Sequence, residues 1–264
     1  MKPLKTLSSF GIILILASLT LFGCGTDSSN NASNGAAGDE ARKYVIATDA
    51  TYAPMEYMDD KGNIIGTDID IVNAIAEELD IEVEFKNYGW EPLFTAVQNG
   101  EVDFAVSSIT ITDERKQTFD FTEPYFAANQ LILVKEDSKV AKFDDLKGKR
   151  VSVQINTTGH EIVKGLLGKT SSKIVATETM PLAISEMING NADAAIGDNA
   201  VINEYKKNNP KVKLKTVEDD AFEKEYYGLM VKKGNNELVE LLNEGIQKLK
   251  DNGKLKEITG FDVE

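Results

Sequence analysis

The sequence predicts an α/β protein built as two open lobes on largely parallel sheets, and three observations carry that prediction. Short apolar runs that read as strands alternate with segments of helical periodicity along the chain. The 264 residues, less a leader and a polar tract, are long for one compact core but ordinary for two. The two halves also echo each other, since Asn99-Gly100-Glu101-Val102-Asp103-Phe104-Ala105-Val106 is matched by Asn189-Gly190-Asn191-Ala192-Asp193-Ala194-Ala195-Ile196. An Asn-Gly helix stop before a buried strand arises by convergence as well, so the echo counts only beside the alternation.

At the start, Lys2 and Lys5 precede an apolar run from Phe10 to Phe22 broken by Gly11, Ser18 and Thr20. That run is short of the ~20 residues a membrane span needs, and residues 1–23 read as a secretory signal peptide. It ends Leu21-Phe22-Gly23-Cys24, which resembles the bacterial lipobox, although Phe22 is bulky for that motif. A lone cysteine is more often a buried core thiol. Here its place at the end of a signal and before a polar tract favours attachment of a lipid at Cys24. With no second cysteine, no intramolecular disulfide can form. The tract that follows is dominated by Gly, Ser, Asn, Ala and Asp and cannot bury enough apolar surface to fold. Residues 24–42 are therefore expected to be a lipidated cysteine and a flexible linker.

The folded body begins with Tyr44 to Thr48 as a strand. Ile71, Ala74, Ile75 and Leu79 then recur at helical spacing, Ile81, Val83 and Phe85 alternate as a strand, and Leu93, Phe94 and Val97 return to helix before the apolar run Val102 to Val106. The second half repeats this rhythm. Strands are expected at Val151 to Gln154, Lys173 to Ala176 and Ala192 to Ile196, with helices through Ile162 to Leu167 and Leu182 to Ile188. The Lys- and Glu-rich stretch Asn236 to Lys250 reads as a helix with a solvated face.

Each half ends its echoed strand in polar residues. The first empties into Ser107-Ser108-Ile109-Thr110-Ile111-Thr112-Asp113-Glu114-Arg115 and the second into Gly197-Asp198. In open α/β lobes ligands belong at the carboxyl ends of the strands, so a cleft between two such faces would place Arg115 and Asp198 on opposite walls. A guanidinium matches a carboxylate in bidentate geometry, and hydroxyls can complete its shell. Blander roles remain open. Thr112 can be an N-cap with Asp113 and Glu114 as first-turn acids, and Asp198 can cap the helix through Val201 and Tyr205.

These segments, in this order and spacing, carry a resemblance. Ala47-Thr48-Asp49-Ala50-Thr51-Tyr52-Ala53-Pro54, Gly66-Thr67-Asp68-Ile69-Asp70, Ser107 to Lys116, Asp120-Phe121-Thr122-Glu123-Pro124-Tyr125, Asp145 to Lys149 and Asp198-Asn199-Ala200 resemble the extracytoplasmic solute-binding proteins, family 3, of polar amino acid ABC importers. The resemblance implies a periplasmic-binding-protein-like type II fold: two Rossmann-like lobes joined by two hinge strands, with the ligand cleft between them. Lobe 1 would comprise residues 43–130 and 227–264 and lobe 2 residues 131–226, with crossings near Ala128 to Leu133 and Tyr226 to Leu229. It further implies Arg115 as carboxylate clamp with Ser107, Ser108 and Thr110, helped by the helix start at Thr158 and Gly159, and Asp198 as partner of the α-ammonium.

Side-chain selectivity would rest on Asp49, Tyr52, Glu56, Asp68, Trp90 and Gln154. Aromatic faces at Tyr52 and Trp90 attract guanidinium or ammonium, and carboxylates at Asp49 and Asp68 supply charge-assisted partners. The alternatives are core aromatics and, for Asp68, a helix cap. Gln154 and Gly197 depart from the glutamine-binding branch, where a lysine and a histidine are usual. Ser107-Ser108, Thr51-Tyr52, Gly89-Trp90-Glu91-Pro92-Leu93-Phe94 and Asn156-Thr157-Thr158-Gly159 look closer to binders of basic amino acids, arginine foremost. The implied partners are a free L-amino acid and a membrane permease with its ATPase, the protein itself acting as a monomer anchored outside the cytoplasm, at the outer face of a Gram-positive membrane.

Other function classes find little support in the residues. The single histidine, His160, leaves one place for a Ser-His-Asp or Cys-His arrangement, and no Gly-x-Ser-x-Gly elbow is present. One Cys and one His do not make a zinc site of the usual kinds, and no EF-hand loop occurs. No cofactor is called for. A formal charge of −14 makes nucleic acid a poor partner. The enzyme that best matches the same resemblance is a cyclohexadienyl dehydratase, in which Glu56 or Asp68 would have to serve as the acid.

Overall fold

The computed structural model describes residues 42–263, so the leader, Cys24 and the linker before residue 42 lie outside the described residues. The first sheet is built on β1 (Lys43–Thr48). Beside it the chain forms a small antiparallel sheet of β2 (Thr51–Tyr52), β3 (Glu56–Met58) and β4 (Ile64–Ile65), which the apolar periodicity does not reveal because each strand is two or three residues long. Helix α1 (Thr67–Leu79), β5 (Glu82–Asn87), α2 (Trp90–Asn99) and β6 (Phe104–Ala105) complete the expected alternation. The short helix α3 (Asp113–Lys116) and β7 (Phe119–Phe121) follow.

The chain then leaves through β8 (Phe126–Ala128) and enters the second sheet as β9 (Gln130–Lys135). There β10 (Val151–Gln154), α4 (Thr158–Leu167), β11 (Ile174–Thr177), α5 (Met180–Ile188), β12 (Ala194–Asp198), α6 (Asn199–Asn208) and β13 (Leu214–Val217) repeat the pattern of the first half. It returns through β14 (Glu225–Tyr227) into β15 (Met230–Lys232), α7 (Asn236–Asp251) and α8 (Lys254–Thr259).

The sheet orders show why the halves echo. The first runs β5-β1-β6-β15-β7 and the second β11-β10-β12-β9-β13. In each, the first three strands are parallel, and the fourth is an antiparallel strand that has just arrived from the other half. The two passing strands, β8 and β14, pair antiparallel with Glu225 opposite Ala128 and Tyr227 opposite Phe126. Two-way traffic through one short ribbon leaves the cleft bounded by the carboxyl ends of β1, β6, β10 and β12. This is the α/β, type II binding-protein architecture that the alternation and the resemblance foretell.

Local chemistry sets the helix starts. Thr157, Thr179 and Asn235 each accept a backbone N–H from the first turn of α4, α5 and α7. Helix α7 is more than a solvated face, because Leu238, Leu242, Ile246 and Leu249 form a buried stripe at helical spacing. They join Ile71 and Ile75 of α1 in the same core cluster. Among the described residues no helix is long and apolar enough to cross a membrane.

Candidate functional site

A small cavity lies between the sheets, lined by Asp49, Tyr52, Glu56, Trp90, Ser107, Ser108, Thr110 and Arg115 from one side and Gln154, Thr157, Thr158 and Asp198 from the other. Eleven of the thirteen residues expected at the site stand on this wall. The other two, Asp68 and Gly159, lie immediately behind it. Asp68 is fully buried within the first turn of α1, accepting Ser108 N at 2.6 Å and Tyr125 Oη at 2.9 Å. It makes no cap, so the helix-cap alternative does not hold. Gly159 is packed so closely that a Cβ there would stand 2.8 Å from Gln130 Oε1.

Arg115 reaches the cavity from α3, whose start is fixed by Thr112 Oγ1 accepting Arg115 N at 3.1 Å. The cap and the site are thus the same motif. Its guanidinium donates to Thr110 O at 2.8 Å and to Asn156 O at 3.4 Å, and stands 5.4 Å from the Trp90 ring centre and 5.5 Å from that of Phe94. Burial lowers its pKa while the charges of Glu225 and Asp198 oppose this. A guanidinium stays protonated through such a change. Two of its five N–H donors are used here, which leaves others for an anion.

Asp198 ends β12 at the N-cap position of α6, yet its side chain makes no cap bond. It turns to the cleft instead, accepting from Gln130 Nε2 and, at 2.6 Å, from Tyr227 Oη. Burial, then the charge of Glu225, pushes its pKa up to about 6 against the pull of its hydrogen bonds. Such a carboxylate lacks a counter-ion, which an ammonium would provide.

The remaining carboxyls cluster around the two adjacent serines. Ser107 Oγ donates to Glu56 Oε1 at 2.9 Å and accepts Asp49 N at 3.0 Å, and Ser108 takes a left-handed turn at φ 48° that directs its N–H to Asp68. Desolvation raises the pKa of Asp49 and Glu56, and it raises Asp68 to about 6. Tyr52 and Trp90 are each 8% exposed yet line the cavity, so burial and a site role coincide. Gln154 Nε2 crosses the cleft to Asp49 Oδ2 at 3.1 Å.

Sequence reasoning missed three participants. Glu225 accepts the hydroxyls of Thr110 at 2.7 Å and Thr158 at 2.8 Å, and Gln130 Nε2 at 3.1 Å, which ties both walls to β14. Asn156, at φ 56°, presents its carbonyl to Trp90 Nε1 at 3.4 Å and to Arg115, while its amide meets Glu91. Gln130 bridges Asp198 and Glu225. Gln130 falls within one expected crossing and Glu225 one residue before the other, while Asn156 opens the Asn156-Thr157-Thr158-Gly159 stretch quoted above without a role of its own. His160 lies in the first turn of α4, where Nδ1 accepts Asn156 N at 3.0 Å and burial lowers its pKa, so it serves that turn as a neutral ring.

The profile of the bacterial extracellular solute-binding proteins, family 3, matches residues 44–260. The chain belongs to this family. It is 39% identical over 246 residues to a probable histidine-binding protein of Neisseria gonorrhoeae, covering 93% of this chain and 91% of that one. It is 30% identical over 249 residues to the arginine-binding extracellular protein ArtP of Bacillus subtilis, covering 94% of each. Among solved structures, the arginine-, lysine-, histidine-binding protein ArtJ of Geobacillus stearothermophilus superposes with a TM-score of 0.79 at 48% identity, over 82% of this chain and 93% of that one. As a family member the chain is a solute-binding protein.

Proposed function

We propose that this protein is the substrate-binding lipoprotein of an ABC amino acid importer, taking a basic L-α-amino acid, arginine foremost, and delivering it to the permease. One observation carries the reading: a single cavity sets the Arg115 guanidinium, the Asp198 carboxylate and a second acidic group at Asp49 and Glu56 around one small volume. An α-carboxylate, an α-ammonium and a cationic side chain complement those charges in turn. Trp90 and Tyr52 add aromatic faces for the side chain. Thr110, Ser107 and Ser108 complete the clamp on one wall, Gln154, Thr158 and Gly159 on the other, with Asp68 supporting Ser108 from behind. The kinship with arginine and histidine binders supports the same class of ligand.

On this reading residues 43–130 with 227–264 and residues 131–226 are two lobes that open and close about the β8 and β14 ribbon. Lipid attachment at Cys24 would keep the protein beside its permease on the outer face of the membrane. This reading assigns the cavity's acids to binding and names no catalytic residue.

A thermal-shift panel of the twenty amino acids with ornithine and citrulline tests the assignment. A ligand at one hundred times its dissociation constant should stabilise the protein by about 2.7 kcal/mol. Arginine and its basic neighbours should give the largest shifts. A response to glutamine without arginine would overturn the basic preference, and silence from all twenty would overturn amino acid binding itself.

A further inference from the structure

Glu56 of β3 and Asp68 of α1 are both wholly buried, and the Ser108 hydroxyl stands between them, 3.3 Å from Glu56 Oε2 and 3.4 Å from Asp68 Oδ2. Two carboxylates offer only acceptors, so two held this close without a cation call for a proton between them. The neighbouring donors are committed elsewhere. Ser108 N and Tyr125 Oη both give to Asp68 Oδ2, Ser107 Oγ gives to Glu56 Oε1, and the single Ser108 hydroxyl proton serves either Glu56 Oε2 or Asp68 Oδ2. Asp68 Oδ1 is left without a partner among the described residues, and a proton carried by the pair would satisfy it.

The surroundings offer no alternative compensation. The charges acting most strongly on Glu56 are those of Asp68 and of Asp49, both anionic. The Tyr125 phenol donates to Asp68, the Tyr52 phenol is turned to Asp198, and burial keeps both protonated. From the opposite wall Gln154 brings a neutral amide to Asp49. The Arg115 guanidinium is turned to Thr110 and Asn156, in the field of Glu225 and Asp198. Desolvation of Glu56 and Asp68 acts in the same direction, favouring the protonated form.

Glu56 lines the cavity and Asp68 stands behind it. We propose that before ligand binds Glu56 and Asp68 share one proton, and that a cationic ligand side chain entering beside Glu56 expels it. The O–H bond of the Glu56 carboxyl breaks, the proton passes to solvent, and the ligand's positive charge replaces it against the two carboxylates. A guanidinium keeps its own protons, so the exchange is one charge for one charge. The inference rests on the basic-ligand reading above. It adds that discrimination between arginine and a neutral isostere is linked to pH.

The test is calorimetric titration of the full chain with arginine and with citrulline near neutral pH, in buffers of different ionisation enthalpy. Asp198 pairs with the α-ammonium of either ligand, so its titration contributes to both and cancels in their difference. Arginine should release about one proton more than citrulline, and its relative affinity should rise about tenfold per pH unit while the pair holds its proton. Glu56→Gln retains an acceptor for Ser107 and a donor towards Asp68. It should keep the melting temperature of the parent, lose the excess proton release and lose at least about tenfold in preference for arginine. Equal proton release by the two ligands would overturn the exchange. An infrared band of a buried protonated carboxyl, present in the parent at neutral pH and missing in Glu56→Gln, tests the proton without any ligand, and its absence from the parent would overturn the inference. If no basic amino acid binds, the ligand assignment and the expulsion step fall together, while the infrared band still decides the proton.

Discussion

Arg115 keeps donors in reserve because its guanidinium is fixed from behind by the Thr110 carbonyl and by the aromatic rings of Trp90 and Phe94. Truncation would leave the α-carboxylate of a bound amino acid desolvated and unpaired, a loss of roughly 3 to 5 kcal/mol. Calorimetry on Arg115→Ala should therefore show affinity for every α-amino acid lower by about two to four decades. Parent-like binding by that variant would remove Arg115 from the clamp. Asp198 adds a pH dependence whose sign follows from its raised pKa. Above about 6 the carboxylate is available to the α-ammonium; as pH falls below it, protonation removes the partner. Affinity should thus decline as pH drops from about 6, until the lower pKa of the bound state is reached, whereas Asp198→Asn should bind weakly with a flatter profile through this range. That Arg115 and Asp198 come to one cavity was legible in the sequence, because each belongs to a contiguous polar motif that follows an apolar run. Glu225 and Gln130 were not, since they reach the site only through the pairing of β8 with β14, a contact nearly one hundred residues apart in the chain that no local pattern encodes.

At the scale of elements, the strands and helices that alternate in lobe cores were readable because apolar periodicity records burial. The strands β2, β3, β4, β8 and β14 are two or three residues long, too short for a period to declare itself. Helix α7 was underread for another reason, since its many Lys and Glu residues obscure a stripe of four buried aliphatics. The brief ribbon strand β14 has a large energetic reach. Its first residue, Glu225, accepts from Thr110 beyond β6 and from Thr158 at the start of α4, so one carboxylate joins both walls of the cleft. Hydrogen bonds to a charged group are each worth about 1.5 to 3 kcal/mol, although removing the acceptor frees both hydroxyls to find other partners. Glu225→Ala should weaken arginine and citrulline alike by about one decade, measured by calorimetry, because it alters closure rather than side-chain contacts. A loss confined to arginine would place Glu225 among the selectivity residues instead.

The described residues build two five-stranded sheets of matching strand order that exchange one strand each, so the lobe motion proposed above would be taken up in the ribbon where the exchange occurs. Direct bonds span the cleft from Gln154 to Asp49, from Asn156 to Trp90, Arg115 and Glu91, and from Thr110 to Glu225, and each is neutral on at least one side. Each contributes about 1 to 3 kcal/mol net, since opening returns both groups to water. A closed state held by such contacts is finely balanced against an open one. A ligand that touches Arg115 on one wall and Asp198 on the other binds only the closed state with its full set of contacts, and differential affinity of that kind shifts the equilibrium. Small-angle scattering of the full chain should therefore show a smaller radius of gyration at saturating arginine than without it, with Glu225→Ala needing more ligand to reach the same end point. An unchanged radius at saturation would mean that the two sheets move as one body, and the ribbon of β8 and β14 would then be a structural join rather than a hinge.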